Sequence, residues 1–116
     1  IIISGVNASL TDIKMDWDQN KSLCIVLCSK GYPEKFTNNL EIENLHKISL
    51  ESNEFIFHAG TKLENKKIFS SGGRVLNFVV ISEEFKKSRD KAIQMIKKLN
   101  WGNGFFRKDI GYKVID

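Results

Sequence analysis

The chain has 116 residues, 41% of them hydrophobic, and a formal net charge of +4 from 18 basic and 14 acidic side chains. That length specifies one domain with one modest core, and a single Pro with a mean hydropathy of -0.26 argues against a disordered chain. No apolar run approaches the ~18 residues of a membrane span, and the mixed signs, with no long block of like charge, argue against a nucleic-acid partner despite a pI near 9.1.

The chain starts on Ile1-Ile2-Ile3, with no initiator Met and no basic residue ahead of the apolar run. It is therefore expected to be a piece of a longer protein and not to open on a signal peptide. Residues 1–21 are expected to be the end of a preceding helix and a connecting segment, with Ile1, Ile2, Val6 and Leu10 on one helical face. Met15 and Trp17 alternate with acids as in a half-buried strand. The domain proper is expected over 22–116. Ser22 to Cys28 is apolar at every other position on both sides, which predicts a central strand buried on both faces. Cys24 and Cys28 would then be two small core residues in a reducing compartment; they sit too far apart along one strand to bridge, and no Cys or His cluster completes a metal site.

Ser29-Lys30-Gly31-Tyr32-Pro33 breaks that strand with a turn. Residues 34–53 are polar, with Leu40, Ile42, Leu45 and Ile48 as scattered anchors. Phe55 to Gly60 predicts a strand, with Phe55, Phe57 and Ala59 on one face and Ile56 and His58 on the other. A turn at Glu64-Asn65-Lys66 leads to a short strand at Lys67 to Ser70, and Arg74 to Ile81 predicts another strand apolar on both faces. Ser82 is expected to cap a helix with Glu83 and Glu84 in its first turn and Phe85, Ala92, Ile93, Ile96 and Leu99 as its apolar stripe. Lys97 and Lys98 fall in its last turn. A short strand is expected at Phe105 to Lys108. Strands followed by one good helix read as α+β with an antiparallel or mixed sheet.

Four segments place polar groups and glycines beside apolar strands, where a strand-built domain carries its binding groups. In Ser29-Lys30-Gly31, a hydroxyl, an ammonium and free amides could hold an anion, or the segment is a plain turn. His58 lacks any nucleophile in a recognisable pattern, so it is a structural or substrate-contacting residue before it is a base. In Gly72-Gly73-Arg74 the glycines allow close approach of backbone to a ligand and the guanidinium can grip phosphate or carboxylate in two-pronged fashion; a hairpin turn with a surface Arg is the competing reading. Arg107 and Asp109, two apart, can pair on one face. The basic residues are 15 Lys and three Arg, so positions that stay Arg in so Lys-rich a chain are candidates for needing a planar fork.

Taken in order, Leu-Cys-Ser-Lys-Gly-Tyr-Pro (27–33), Phe-His-Ala-Gly-Thr-Lys-Leu (57–63), Gly-Gly-Arg-Val-Leu (72–76) and Phe-Phe-Arg-Lys-Asp-Ile-Gly-Tyr (105–112) resemble the C-terminal domain of the phosphoribosylamine–glycine ligase (GAR synthetase) family. Glu34 departs from the Gly that many members carry after Tyr-Pro. The resemblance implies an α+β fold: a small antiparallel or mixed, barrel-like sheet with one long C-terminal helix, the substrate-cap domain of an ATP-grasp ligase. It implies a parent enzyme that joins glycine to 5-phosphoribosylamine with ATP and magnesium in de novo purine synthesis, in the cytoplasm. The nucleotide-binding part and the metal carboxylates would lie upstream, so no residue here is expected to be catalytic or to bind metal, and the chain alone is expected to be inactive. Ser29, Lys30, Gly31, His58, Gly72, Gly73 and Arg74 are the expected substrate-binding residues, and the chain is expected to pack on the upstream ATP-grasp domains. Another ATP-grasp carboxylate–amine ligase, or a non-catalytic module for an anion or a protein, remains the alternative.

Overall fold

The computed structural model describes residues 1–115. Its elements run α1 (Ile2–Val6), β1 (Lys21–Ser29), β2 (Glu54–His58), β3 (Thr61–Glu64), β4 (Lys67–Ser70), β5 (Arg74–Ser82), α2 (Phe85–Leu99) and β6 (Gly104–Phe105), with single turns of 3-10 helix at Leu10–Asp12, Leu45–Lys47 and Tyr112–Val114. Four strands form one antiparallel sheet in the order β2-β5-β1-β6, and β3 and β4 form a separate hairpin. The fold is α+β, as the element order predicts. The hairpin turn at Asn65 and Lys66 has φ of 48° and 64°, the left-handed pair that suits two twisted strands.

Strand periodicity of two sorts β1 and β5 into two faces. Leu23, Ile25 and Leu27 oppose Val80, Phe78 and Leu76 on one side, and these six side chains are buried. Helix α2 covers that side with Ala92, Met95, Ile96 and Leu99, residues spaced by three and four and all buried. Ile42 fills the core from the long polar segment, and Leu45 and Ile48 pack against it. Ser88 is buried in the same stripe because its hydroxyl pairs with that of Ser82 at 2.7 Å. Glu54 and Lys91, 3.5 Å apart, tie β2 to α2. The helix ends at Asn100, whose φ of 48° closes it in the left-handed conformation.

Several expectations are corrected. β1 is central, but only one of its faces is buried; Cys24 is exposed and Cys28 half-buried, because α2 covers one side only and both thiols lie on the other. Met15 and Trp17 lie in no strand and are exposed, since no neighbouring strand pairs with that stretch. The apolar face of residues 1–10 is likewise exposed, and only Ile2–Val6 is α-helical. Ser82 does not cap α2: it ends β5, Glu84 takes the N-cap position, and the first turn carries no acid. Met95, which the stripe read from the sequence passes over, is buried. The last strand stops at Phe105, so Arg107 and Asp109 lie in the following turn.

Phe78 is fully buried at the centre of the sheet. Phe78→Ala should lower stability by about 3–5 kcal/mol, whereas Cys24→Ala on the uncovered face should change it by less than about 0.5 kcal/mol; urea denaturation midpoints check both.

Candidate functional site

The site is built where three turns meet at one end of the sheet. The pairing of β1 with β5 runs in register to Leu27↔Leu76 and then resumes at Cys28↔Arg74, skipping Val75. Alternation alone would put Arg74 on the face of Leu76 and Phe78. The extra residue turns it over, as β-bulges do beside functional sites. Arg74 therefore shares the uncovered face with Val26 and Asn77, and the three line a cleft of about 510 Å³ together with Tyr32, Ala59, Gly60 and Gly73.

Each turn has a local cause. Gly31 has φ of +98°, and a Cβ there would lie 2.1 Å from the Lys35 carbonyl oxygen, so glycine is required. Ser29, buried, donates its hydroxyl to the Gly72 carbonyl at 2.9 Å and its N–H to the Gly73 carbonyl at 2.7 Å. A Cβ on Gly60 would lie 2.8 Å from the Gly72 Cα, so the 59–60 and 71–73 turns cross with backbone against backbone. Gly60 N–H donates to the Arg74 carbonyl and Ser71 N–H to the Gly60 carbonyl, each at 2.8 Å. The Tyr32 ring lies against Gly73, where any side chain would collide with it.

Among the described residues, Arg74 has no carboxylate partner, and the amides of Gly72 and Gly73 have no protein acceptor. Its guanidinium is close enough to Cys28 to act on the thiol: partial burial pushes both thiols up, and for Cys28 the Arg74 charge offsets part of that rise. A cation with free donors beside unpartnered amides is a place for an anion. Beside the cleft, an apolar groove of about 330 Å³ runs over Cys24, Val26, Cys28, Phe105 and Ile110, and Tyr32 lines both.

Of the residues expected from the sequence, Ser29, Gly72, Gly73 and Arg74 come together here, and Gly31 shapes the turn beneath. Ser29 holds the loop and leaves no donor free for a ligand. Lys30 is exposed, its N–H bound to the Asn103 carbonyl at 2.8 Å, and it lies outside the cleft lining. His58 pairs with Leu76, which puts it on the opposite face from Asn77; its Nδ1 is 2.8 Å from the Thr61 hydroxyl. Val26, Tyr32, Ala59, Gly60 and Asn77 also line the cleft and are not among the residues expected from the sequence. Asn77 had a signal: it is the one polar residue within the apolar run Val75 to Ile81. No group of three or more His, Cys, Asp or Glu that could hold a metal ion occurs among the described residues. No described helix is long and apolar enough to cross a membrane.

Residues 22–113 match the family model described as Phosphoribosylglycinamide synthetase, C domain. The chain belongs to this family. Phosphoribosylamine–glycine ligase of Fusobacterium nucleatum is 38% identical over 112 residues, 96% of this chain and 26% of that protein. The ligase of the same description from Caldanaerobacter subterraneus is 34% identical over 95% of this chain and 26% of its own length. The crystal structure of phosphoribosylamine–glycine ligase from Thermotoga maritima superposes with a TM-score of 0.70 at 25% identity, over 93% of this chain and 27% of that one. This C domain thus spans about a quarter of the length of the relatives it matches.

Beside the cleft, Arg107 grips Asp109 through two hydrogen bonds of 3.1 and 2.7 Å. Those bonds hold the Asp109 carboxyl below the usual carboxylate range. A carboxyl lowered by folding adds stability above its unfolded pKa, and the gain is lost as pH falls through the folded value. Arg107→Ala should therefore move the Asp109 titration up toward the ordinary carboxylate range, followed by NMR of the carboxyl carbon.

Proposed function

We propose that this C domain is the substrate-cap portion of a phosphoribosylamine–glycine ligase, which joins glycine to 5-phosphoribosylamine with conversion of ATP to ADP and phosphate, in the cytoplasmic synthesis of purines. The observation that carries the reading is Arg74, a guanidinium with no carboxylate partner among the described residues, set by a strand bulge beside unpartnered glycine amides. A terminal phosphate suits that combination: the fork takes two oxygens and a backbone amide a third. Family membership and the names of the relatives support phosphoribosylamine as its bearer.

In this reading ATP and magnesium belong to the rest of the longer protein, where they activate the glycine carboxylate. The C domain's own task is orientation. Gripping the phosphate of phosphoribosylamine fixes where its amine lies, and positioning of this kind can contribute up to about 7–11 kcal/mol to a bimolecular step. The amine needs no base to be nucleophilic once neutral. The chain alone is then inactive as a ligase. The uncovered sheet face would pack on the upstream domains: Phe55 and Phe57 stack on each other there with centroids 6.0 Å apart, both exposed, beside Cys24 and Val79. Covering that face would also exclude water from the cleft that opens on it. The two free thiols suit a reducing compartment.

In the full-length ligase, Arg74→Lys keeps the charge and loses the fork. It should lower kcat/KM for 5-phosphoribosylamine about tenfold, a loss of ~1.4 kcal/mol, with the KM for ATP and the thermal midpoint nearly unchanged. An unchanged phosphoribosylamine response with a lowered midpoint would make Arg74 a hairpin anchor. For the packing, maleimide should modify Cys24 at least about tenfold more slowly in the full-length protein than in the isolated chain, since reaction needs access to the thiolate; equal rates would leave that face uncovered.

A further inference from the structure

Ser29 is 1% exposed, and both of its hydrogen-bond donors are used on the two carbonyls that precede Arg74. In a trans peptide the C=O and the following N–H point in opposite directions. Holding the Gly72 carbonyl on the Ser29 hydroxyl therefore turns the Gly73 N–H away from Ser29. The Ser29 carbonyl also accepts the Tyr32 N–H at 3.0 Å, which places the Tyr32 ring on Gly73, 2.0 Å from where a Cβ would stand. Two adjacent glycines are the most permissive backbone available. Here they are bounded by Ser29 on one side, by the Tyr32 ring on another and by the Gly60 backbone on a third.

We propose that Ser29 and Tyr32 are positioning residues of the anion cleft: they aim the Gly73 amide and hold the Arg74 backbone, so that amide and guanidinium converge on one phosphate. The inference rests on the reading of the Arg74 cleft as the phosphoribosylamine phosphate site. It gives Ser29 a role distinct from direct binding, because the hydroxyl proton is already committed to Gly72. It also gives a reason for the packing of Tyr32 against a residue with no side chain. Convergence of this kind is sensitive, since misplacement by about 1 Å can cost on the order of a hundredfold in rate.

The test uses the full-length ligase with Ser29→Ala, Tyr32→Ala, Tyr32→Phe, Arg74→Lys and the Ser29→Ala/Arg74→Lys double variant. The KM for 5-phosphoribosylamine, the KM for ATP, kcat and the thermal midpoint are measured for each. Ser29→Ala and Tyr32→Ala should raise the phosphoribosylamine KM about tenfold with the ATP KM unchanged, and Tyr32→Phe, which keeps the ring, should stay within about twofold of the parent. The double variant should fall well short of the product of the two single effects, because Ser29 acts through the group that Arg74→Lys already impairs. Where Ser29→Ala does not fold, Ser29→Cys, of similar size with a weak donor, carries the same expectation. A Ser29 variant that lowers only the midpoint, or a double variant whose effects multiply, overturns the positioning role. A Tyr32→Phe loss as large as that of Tyr32→Ala overturns it for Tyr32. Arg74→Lys with an unchanged kcat/KM for 5-phosphoribosylamine overturns the site reading itself, and the positioning role with it.

Discussion

One slipped residue in the pairing of β1 with β5 decides what this domain can present. Position 74 has the same parity as Leu76, Phe78 and Val80, so an unbroken ladder would drive a guanidinium toward the face that α2 covers. Burying it there without a partner would cost several kcal/mol. Skipping Val75 leaves that residue fully buried and puts Arg74 opposite Cys28, on the side where no helix lies. The bulge thus meets two demands at once: an apolar residue stays in the core, and a charged one reaches the cleft. Ser29, next in line on β1, is then placed to hold the Gly72 and Gly73 carbonyls. The loop geometry is a consequence of the strand register.

The two faces of the sheet differ in what covers them. The α2 side holds Phe78, Leu76, Ile25 and Leu99 in one cluster and needs no further partner. The other side carries Cys24, Val26, Val79, Phe55 and Phe57, a set too apolar for a face meant for water, with the polar Arg74 and Asn77 at one end. An antiparallel sheet that faces solvent on one side ordinarily alternates apolar with polar residues. Its departure from that alternation matches a domain that occupies about a quarter of the length of its relatives.

Much of this was readable in advance. The strands near 22–28, 67–70 and 74–81 and the helix ending at Asn100 follow from periodicity and turn residues, because those signals are local; the strand expected over 55–60 ends at His58, and the strand Thr61–Glu64 that follows it carries no alternation that sets it apart from a turn. The four motifs in order also pointed to the family. What could not be read is nonlocal. An apolar run on both faces of β1 says that both faces want cover, yet α2 covers only one of them, a fact of tertiary packing that local pattern does not carry. Ser82 carries the residue type of a cap, but its hydroxyl is taken by Ser88 from the same helix, a contact that closes only once α2 folds back. His58 and Arg74 sit in motifs that look equivalent along the chain; only the register reveals that they face opposite ways. The bulge itself is invisible in sequence, since Gly72-Gly73 suggests a turn and not a change of parity.

The three arginines give a last consistency argument. In a chain with 15 lysines, each arginine should occupy a place where a point charge would not do. Arg107 does so by taking both oxygens of Asp109 in its fork. Arg89 reaches from α2 to the Lys108 carbonyl and fastens the turn that carries Arg107. Arg74 breaks the pattern, for no side chain or carbonyl of the described chain uses its donors. It is also the one of the three that lines the cleft, with Asn77 on the same face and the Gly73 amide alongside. If its planar fork served only the fold, a partner within the fold would occupy it. On the function proposed above, those open donors are the ones an anion with several oxygens would take.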